Sequence, residues 1–144
     1  MCELIKKFEG YSSKAYLCPK KVWTIGYGNT TWEDGTPVKK GQTIDRIRAE
    51  KLLQHYLKTE VDPVFNKIPH YLTTKQKDAL RSLIYNWNLS GFLRSKLYKA
   101  ICNKDFVEIC RQWDYGFKNN LLGLYKRRTE ELYMFMADMQ KEPK

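Results

Sequence analysis

Apolar positions recur with two different periods along the chain, and the change of period separates its predicted elements. The chain opens with a short helix, Cys2 to Phe8, that ends at Gly10. Its apolar face consists of Leu4, Ile5 and Phe8. Residues 15–40 instead contain short β-prone runs separated by turn residues, namely AYL, VWTIGYG and TPVKK. Helical spacing returns after about Thr43, so the pattern predicts a small antiparallel β element and a larger helical part, an α+β fold that is predominantly α.

Capping signals mark where the later helices begin. Asp45 precedes a helix that halts near Pro63. Thr73 and Gln76 have the spacing of a capping box, in which each side chain bonds the backbone of the other residue. Asn103 is predicted to cap the helix that follows it. These residues predict helices separated by short connections.

The same spacing predicts which side chains these helices turn inward. After Thr73 the inward residues are Leu80, Leu83, Ile84 and Trp87. After Asn103 they are Phe106, Ile109, Cys110 and Trp113, which makes Cys110 a core thiol. The last helix starts near Leu121, and its inward stripe is Leu121, Tyr125, Arg128, Leu132, Met136 and Met139.

The length suits one domain, and we predict a single domain over 1–144 with its β lobe at about 12–42. The chain has no stretch of about eighteen apolar residues, so we expect no integral membrane segment. The opening MCELIKKFEG contains no apolar signal segment, and a secretory route is therefore not expected.

The net charge of +10 favours a polyanionic partner: nucleic acid, an anionic membrane face or bacterial cell-wall polymer. The basic residues form no long run, so the charge acts as a diffuse field. No helix concentrates Lys and Arg on one face beside aromatic residues, and no recognised nucleic-acid motif is present. We therefore predict no nucleic-acid partner.

The cysteines form no C-x-x-C pair and have no histidine at zinc-binding spacing. They are Cys2, Cys18, Cys102 and Cys110. A chain of this length needs no disulfide staples, and without a signal segment we predict free thiols. The sequence implies no metal and no cofactor.

Glu9 is the first candidate for chemistry. It lies in the last turn of the opening helix, where the helix dipole disfavours negative charge, and it stands between Phe8 and Gly10. These surroundings favour the protonated carboxyl, which suits a general acid.

The run WTIGYG is the second candidate. Alternation along a strand puts Thr24, Gly26 and Gly28 on one face, opposite three large side chains. Glycine in a strand marks either tight packing or the close approach of a ligand. The second interpretation predicts a floor of exposed amide groups that, with the Thr24 hydroxyl, holds a sugar or a water.

Arg128 is the third candidate, because it falls on an otherwise apolar stripe. A buried cation needs a partner, unless its side chain reaches solvent. The functional interpretation is a cation that orients the catalytic acid, a role that Arg127, one position round the helix, could also fill.

The order of these motifs resembles the phage-type lysozymes, the endolysin muramidases of the T4 and lambdoid phage kind. The resemblance begins with Glu9, position 18 and Thr24, and it covers nearly the whole chain. The motifs that carry it are FEG, AYLxP, TIGYG, LIYNW, FLRSKL, Trp113 and GLYKRRTEE. It implies a two-lobed lysozyme-like α+β fold and hydrolysis of the β-1,4 bond between N-acetylmuramic acid and N-acetylglucosamine in peptidoglycan.

The resemblance also implies roles for individual residues. By position, Glu9 is the general acid and Thr24 positions the attacking water, while Arg127 or Arg128 braces the acid. The residues that fall where this family contacts its substrate are Gly28, Thr30, Tyr85 and Ser95.

Cys18 departs from the family, which usually has aspartate there as the second carboxylate of a glycosidase pair. In one interpretation its thiolate replaces the carboxylate as base or nucleophile, with Lys20 and Lys21 lowering its pKa. In another, Cys18 is a spectator and Glu33 or Asp34 supplies the second carboxylate. In a third, the chain only binds wall polymer. The first is favoured because thiolates are capable nucleophiles.

The implied partner is bacterial peptidoglycan, whose negative charge fits the basic chain. The resemblance further implies a monomer that gathers in the host bacterial cytoplasm and needs a membrane-permeabilising holin to reach the periplasmic cell wall. An export anchor is the alternative route.

Overall fold

The computed structural model describes residues 2–113 and 122–139, which divide into two compact units. The N-terminal unit is Cys2–Glu60, and the C-terminal unit begins at Val61. The N-terminal unit contains helices α1 (Glu3–Glu9) and α2 (Arg46–Tyr56) and strands β1 (Ser12–Leu17) and β2 (Trp23–Gly26). The C-terminal unit contains α3 (Thr74–Asn86), α4 (Leu89–Leu93), α5 (Lys96–Cys102), α6 (Phe106–Trp113) and α7 (Leu122–Met136). A π-helical turn at Leu57–Val61 and a 3₁₀ helix at Asp62–Lys67 lie between α2 and α3. These elements confirm a predominantly helical α+β fold.

The two strands form an antiparallel hairpin. Tyr16 pairs with Thr24 and Leu17 with Trp23, and a bulge interrupts the register between Ser12 and Tyr16. The third β-prone run forms no strand among the described residues, because it contributes only an isolated bridge between Thr31 and Pro37. The β element is therefore smaller than its sequence pattern predicts.

Two of the predicted caps are confirmed. Asp45 Oδ1 accepts the amide N–H of Arg48 at 2.7 Å and begins α2. At the start of α3, the Thr73 N–H donates to Gln76 Oε1 at 2.9 Å, and the Gln76 N–H donates to Thr73 Oγ1 at 3.2 Å. Both caps satisfy N–H groups that the first helical turn leaves without a backbone partner.

The prediction for Asn103 is wrong. Asn103 is the C-cap of α5, and its N–H donates to the Lys99 carbonyl oxygen at 3.0 Å. Two residues later, Asp105 Oδ1 accepts the N–H of Glu108 at 3.2 Å and begins α6. Asparagine and aspartate both suit an N-cap. Asp105 takes this role because it directly precedes α6, whereas Asn103 still belongs to the end of α5.

Burial confirms most of the inward residues of α3 and α6, but not all of them. Leu80, Leu83 and Ile84 are buried, whereas Trp87 is 46% exposed because it is the C-cap, where the backbone leaves the helix. In α6 the buried residues are Ile109 and Trp113. Phe106, the first residue of α6, is exposed, and Cys110 is half-buried with its Sγ 3.7 Å from Met136 Sδ.

The buried face of α7 is rotated from the predicted stripe. Tyr125 is 56% exposed, while Arg128 is buried as predicted. Leu121 lies outside the described residues. Among residues 124–139, the buried side chains are Arg127, Arg128, Glu131, Phe135 and Asp138. The face toward the core is thus partly charged, and an apolar pattern could not locate it.

Gly26 packs tightly against α2. The strand ends there because Gly26 has a φ of 64°, and a β-carbon on Gly26 would lie 3.2 Å from Ala49 Cβ. Both the Thr24 and Gly26 positions are buried. The predicted floor of exposed amide groups is therefore wrong at these two residues, and the close-packing interpretation of the glycine is correct.

We expect Gly26→Ala to destabilise the chain by about 2–5 kcal/mol. About 1–2 kcal/mol comes from the left-handed backbone and the rest from overpacking against Ala49. Gly35→Ala is the matched control, because Gly35 has a φ of 84° and open space around its β-carbon position. Denaturant unfolding of both variants isolates the packing contribution, and equal losses of stability would contradict the contact with Ala49.

Candidate active site

Glu9 lies in the last turn of α1, as predicted, and it is the last residue of that helix. Gly10 ends the helix with a φ of 70°, and its N–H donates to the Lys6 carbonyl oxygen at 3.0 Å. Glu9 is half-buried. Its carboxyl therefore belongs to the helix end that carries negative partial charge.

Cys18 opens the turn between β1 and β2. Its carbonyl oxygen accepts the Lys21 N–H at 2.8 Å, and its own N–H donates to the Val22 carbonyl oxygen at 3.1 Å. Pro19 comes next, where the fixed φ of proline suits a turn, and Lys21 has a φ of 60°. A left-handed third residue is typical of a three-residue hairpin loop, so the turn holds Cys18 at a defined place beside the following amides.

Backbone hydrogen bonds hold the pKa of the Cys18 thiol below its ordinary value. The largest contribution comes from the Val22 backbone, and desolvation opposes it. The Lys20 backbone and the Thr24 hydroxyl lower the pKa further. The sequence analysis predicted correctly that the pKa of Cys18 is lowered. It assigned the cause to the ammonium groups of Lys20 and Lys21, whereas the structure assigns it mainly to backbone donors.

Thr24 lies beside this turn and is buried. Its Oγ1 donates to the Val22 carbonyl oxygen at 3.0 Å. A hydroxyl carries one hydrogen and two lone pairs, so Oγ1 keeps the ability to accept a hydrogen bond. Because the Thr24 hydroxyl also acts on the pKa of Cys18, the two residues lie side by side at this turn.

Tyr16 connects this pair with Glu9, although the sequence did not single it out. Partial burial raises the pKa of the Tyr16 phenol, and the negative charges of Glu9 and then Cys18 raise it further. Charges that act on one hydroxyl must lie near it, because solvent screens distant ones. Glu9 and Cys18 therefore both lie near enough to the phenol for their charges to act on it. The sequence could have indicated Tyr16 through its position, because Tyr16 precedes Cys18 by two residues and side chains two apart in an extended chain lie on the same face.

The other candidates in the N-terminal unit occupy the loop after β2. Gly28 has a φ of 94° and is half-buried, while Thr30 is exposed and its carbonyl oxygen accepts the Val38 N–H at 2.9 Å. The Ile25 and Asn29 backbones exchange two hydrogen bonds across this loop. The positive φ of Gly28 lets the chain close it.

Glu33 and Asp34 are both engaged in local structure. Arg48 binds the Glu33 carboxylate with two guanidinium nitrogens, and this hydrogen bonding lowers the pKa of Glu33. Asp34 Oδ1 accepts the Thr36 hydroxyl at 2.6 Å and the Thr36 N–H at 2.9 Å, which lowers the pKa of Asp34. Each carboxylate is held in its ionised form by a structural partner.

Two predicted substrate contacts lie in the C-terminal unit. Tyr85 is a half-buried residue of α3. Ser95 is the N-cap of α5: its Oγ accepts the Tyr98 N–H at 3.1 Å and donates to the Phe92 carbonyl oxygen at 2.6 Å. The Ser95 hydroxyl therefore has a structural role, and the substrate contacts of both residues stay predictions.

The two arginines lie in a buried network with Ser82 and Glu131. Arg127 Nε donates to Ser82 Oγ and its Nη2 to the Ser82 carbonyl oxygen, both at 3.1 Å. Arg128 Nη2 donates to Glu131 Oε2 at 2.9 Å, and its Nε lies 2.7 Å from Oε1. Ser82 Oγ donates to Glu131 Oε2. Arg128 thus has the partner that a buried cation requires, and it is not a snorkelling side chain.

Glu131, which the sequence did not single out, is fully buried. Burial raises the pKa of its carboxyl, and the Arg128 guanidinium, the Ser82 hydroxyl and the Arg127 guanidinium oppose this effect. The sequence could have indicated Glu131 through its spacing from Arg128, because residues three apart on a helix are neighbours.

Comparisons with known proteins agree with one another. A family model described as Phage lysozyme matches residues 6–131. An endolysin of Acyrthosiphon pisum secondary endosymbiont phage 1 is 32% identical over 142 residues, with 92% of each chain covered. An endolysin of Salmonella phage P22 is 31% identical over 129 residues, with 88% of each chain covered. The structure of an endolysin from Escherichia coli O157:H7 phage FAHEc1 superposes with a TM-score of 0.84 at 29% identity, covering 99% of this chain and 93% of that one.

Proposed function

The chain belongs to the phage lysozyme family, and on that premise we propose that Glu9, Cys18 and Thr24 are its catalytic residues. Membership makes the protein a lysozyme-type glycoside hydrolase that acts on peptidoglycan. The bond cleaved is the β-1,4 link between N-acetylmuramic acid and N-acetylglucosamine. The observation that supports the assignment is the hairpin geometry: Tyr16 lies opposite Thr24 in the ladder and two residues before Cys18, and the charge of Glu9 acts on the same phenol.

Glu9 is the general acid. It transfers its proton to the glycosidic oxygen as the bond from that oxygen to the anomeric carbon breaks, so the leaving sugar departs as an alcohol.

Cys18 supplies the second group, in one of two ways. As base, the thiolate takes a proton from a water whose oxygen bonds to the anomeric carbon. As nucleophile, the sulfur itself bonds to that carbon, and a water later breaks the thioglycoside while ionised Glu9 accepts its proton. Thr24 Oγ1 keeps lone pairs that can accept a hydrogen bond from the attacking water.

The surroundings of Glu33 and Asp34 make Cys18 the better candidate for the second catalytic group. Arg48 engages Glu33 through two nitrogens, and Thr36 engages Asp34 through its hydroxyl and its amide. A base must be able to accept a proton near working pH, and these partners oppose that by lowering the pKa of each carboxyl. The Cys18 thiolate, in contrast, is stabilised and partly exposed.

The rate of wall hydrolysis should show an optimum in pH, because the reaction needs Cys18 ionised while Glu9 still holds its proton. Because backbone hydrogen bonds lower the pKa of Cys18, the optimum should lie below about 8.5, the value of an ordinary thiol. In Cys18→Asp the optimum should move to lower pH, with activity at neutral pH kept or increased. Initial rates of turbidity loss of purified sacculi across this pH range measure both.

Cys18→Ser should be much slower than the wild type, and Cys102→Ser is the control for the loss of a half-buried thiol elsewhere. If the wild type and Cys18→Asp shared one pH profile, Cys18 would be a spectator. Full activity after complete alkylation of Cys18 would transfer its role to another group.

Analysis of the digestion products tests the function itself. Muramidase action creates new reducing ends on N-acetylmuramic acid, and mass spectrometry of the released fragments identifies them. Sacculi that bind the protein without releasing such fragments would favour the second candidate, a weakened or inactive wall-binding module, which the replacement of aspartate by Cys18 motivates.

To act on peptidoglycan, the protein must reach the periplasmic cell wall. No helix among residues 2–113 and 122–139 is long and apolar enough to cross a membrane. We propose that the protein is a monomer made in the host bacterial cytoplasm and that a holin lets it reach the periplasmic cell wall. The net charge of +10 then attracts it to the anionic wall polymer.

A further inference from the structure

Tyr16 occupies the same face of the hairpin as the proposed catalytic pair. It lies directly opposite Thr24 in the antiparallel ladder, and residues that oppose each other in this way project from the same face. Cys18 follows Tyr16 by two residues, and this spacing also returns a side chain to the same face. The pairing therefore groups Tyr16, Cys18 and Thr24 without reference to any charge.

The Tyr16 side chain remains accessible from this face. It is 39% exposed, whereas its ladder partner Thr24 is buried. The ring and hydroxyl of Tyr16 can thus contact a molecule bound on this face, because the Thr24 side chain does not cover them. Ligand sites are lined mostly by apolar and aromatic side chains with a few polar groups that fix the orientation of the ligand, and a tyrosine offers both.

We propose that Tyr16 is a substrate-positioning residue whose neutral hydroxyl donates a hydrogen bond to the glycan held at Glu9 and Cys18. This inference rests on the proposed function, and it adds a specificity contact to it. The Cys18 thiolate is an acceptor only, and protonated Glu9 has one O–H, which it gives to the glycosidic oxygen, so neither can donate to the other oxygens of the sugar. The Tyr16 hydroxyl provides such a donor on this face.

The electrostatics of the site keep this donor protonated. Partial burial, Glu9 and Cys18 all raise the pKa of the Tyr16 phenol, so it stays neutral throughout the pH range in which the Cys18 thiolate forms. The same effects oppose a phenolate, and Tyr16 therefore does not serve as a nucleophile. A neutral donor that contacts the glycan directly is the role left to it.

Binding of a purified peptidoglycan tetrasaccharide to a Glu9→Gln background tests the proposal independently of turnover. Adding Tyr16→Phe, which removes only the hydroxyl oxygen, should raise the Kd about 3–10-fold, as expected for the loss of one hydrogen bond. In the otherwise wild-type enzyme, Tyr16→Phe should lower kcat/KM by a similar factor. Equal glycan affinity with and without the hydroxyl would overturn the proposal.

Tyr11→Phe is the matched control on the same unit. The Tyr11 hydroxyl donates to the Ile44 carbonyl oxygen at 2.7 Å, so its removal should lower stability and leave glycan affinity unchanged. Tyr16→Phe should show the reverse, with unfolding unaffected. If the wild type released no sugar but Tyr16→Phe still weakened glycan binding, the catalytic proposal would fail while the role of Tyr16 stood.

Discussion

Glu9→Gln should lower the rate of peptidoglycan hydrolysis by about 10²–10⁴-fold, the largest effect expected from any substitution in this chain. Glutamine keeps the size of the side chain and its ability to hydrogen-bond, but it has no proton to give to the leaving oxygen. Glu9 is half-buried at the end of α1, so the variant should fold as the wild type does. Release of reducing sugar from purified sacculi provides the measurement.

Glu3→Gln is the control for this substitution. Glu3 begins the same helix, its side chain is exposed, and it pairs only loosely with Lys6 at 3.4 Å. Its replacement should leave the rate unchanged, because a surface ion pair contributes little. A Glu9→Gln enzyme as active as Glu3→Gln would remove the proposed acid, and with it the mechanism.

Glu131→Ala should destabilise the chain by about 3–5 kcal/mol, because it removes the buried carboxylate that pairs with the Arg128 guanidinium. Arg128 Nη2 and Nε both lose a contact within 3 Å, and Ser82 Oγ loses its acceptor. The loss reflects a guanidinium left buried without this anion, rather than the net value of the pair. Denaturant unfolding followed by circular dichroism gives the free energy.

The matched control is Glu108→Ala, which breaks an ion pair with Arg111 at 2.8 Å. The Arg111 side chain is 68% exposed, so this loss should cost no more than about 1 kcal/mol. Comparable losses for the two variants would mean that Glu131 and Arg128 are not truly shielded from water. Glu131→Gln, which removes the charge but keeps the Ser82 contact, should fall between them.

The capping residues show what local sequence predicts well. The bonds made by Asp45, Thr73 and Gln76 join residues three positions apart, so their partners are visible in the sequence itself. Asn103 shows the limit of this reasoning. It and Asp105 are both competent caps, and the way α5 ends decided that Asp105 begins α6.

Burial was predicted less well, because it depends on which elements pack together. Gly26 has the sequence signature of both a ligand floor and a packing contact, and the distance to Ala49 on α2 decided for packing. Trp87 and Tyr125 fit the helical period but are exposed. Charged Glu131 is buried although the predicted inward stripe did not include it, because two arginines and a serine surround it.

The sequence by itself determined the α+β class, the starts of most helices and the spacing of Glu9, Cys18 and Thr24, because these features depend on neighbours along the chain. Only the tertiary structure decided which groups surround the Cys18 sulfur, that the charges of Glu9 and Cys18 both act on Tyr16, and that Ser82 of α3 binds Arg127 and Glu131 of α7. Those properties depend on distances between residues brought together by the turn and by helix packing, and charge and desolvation act through such distances.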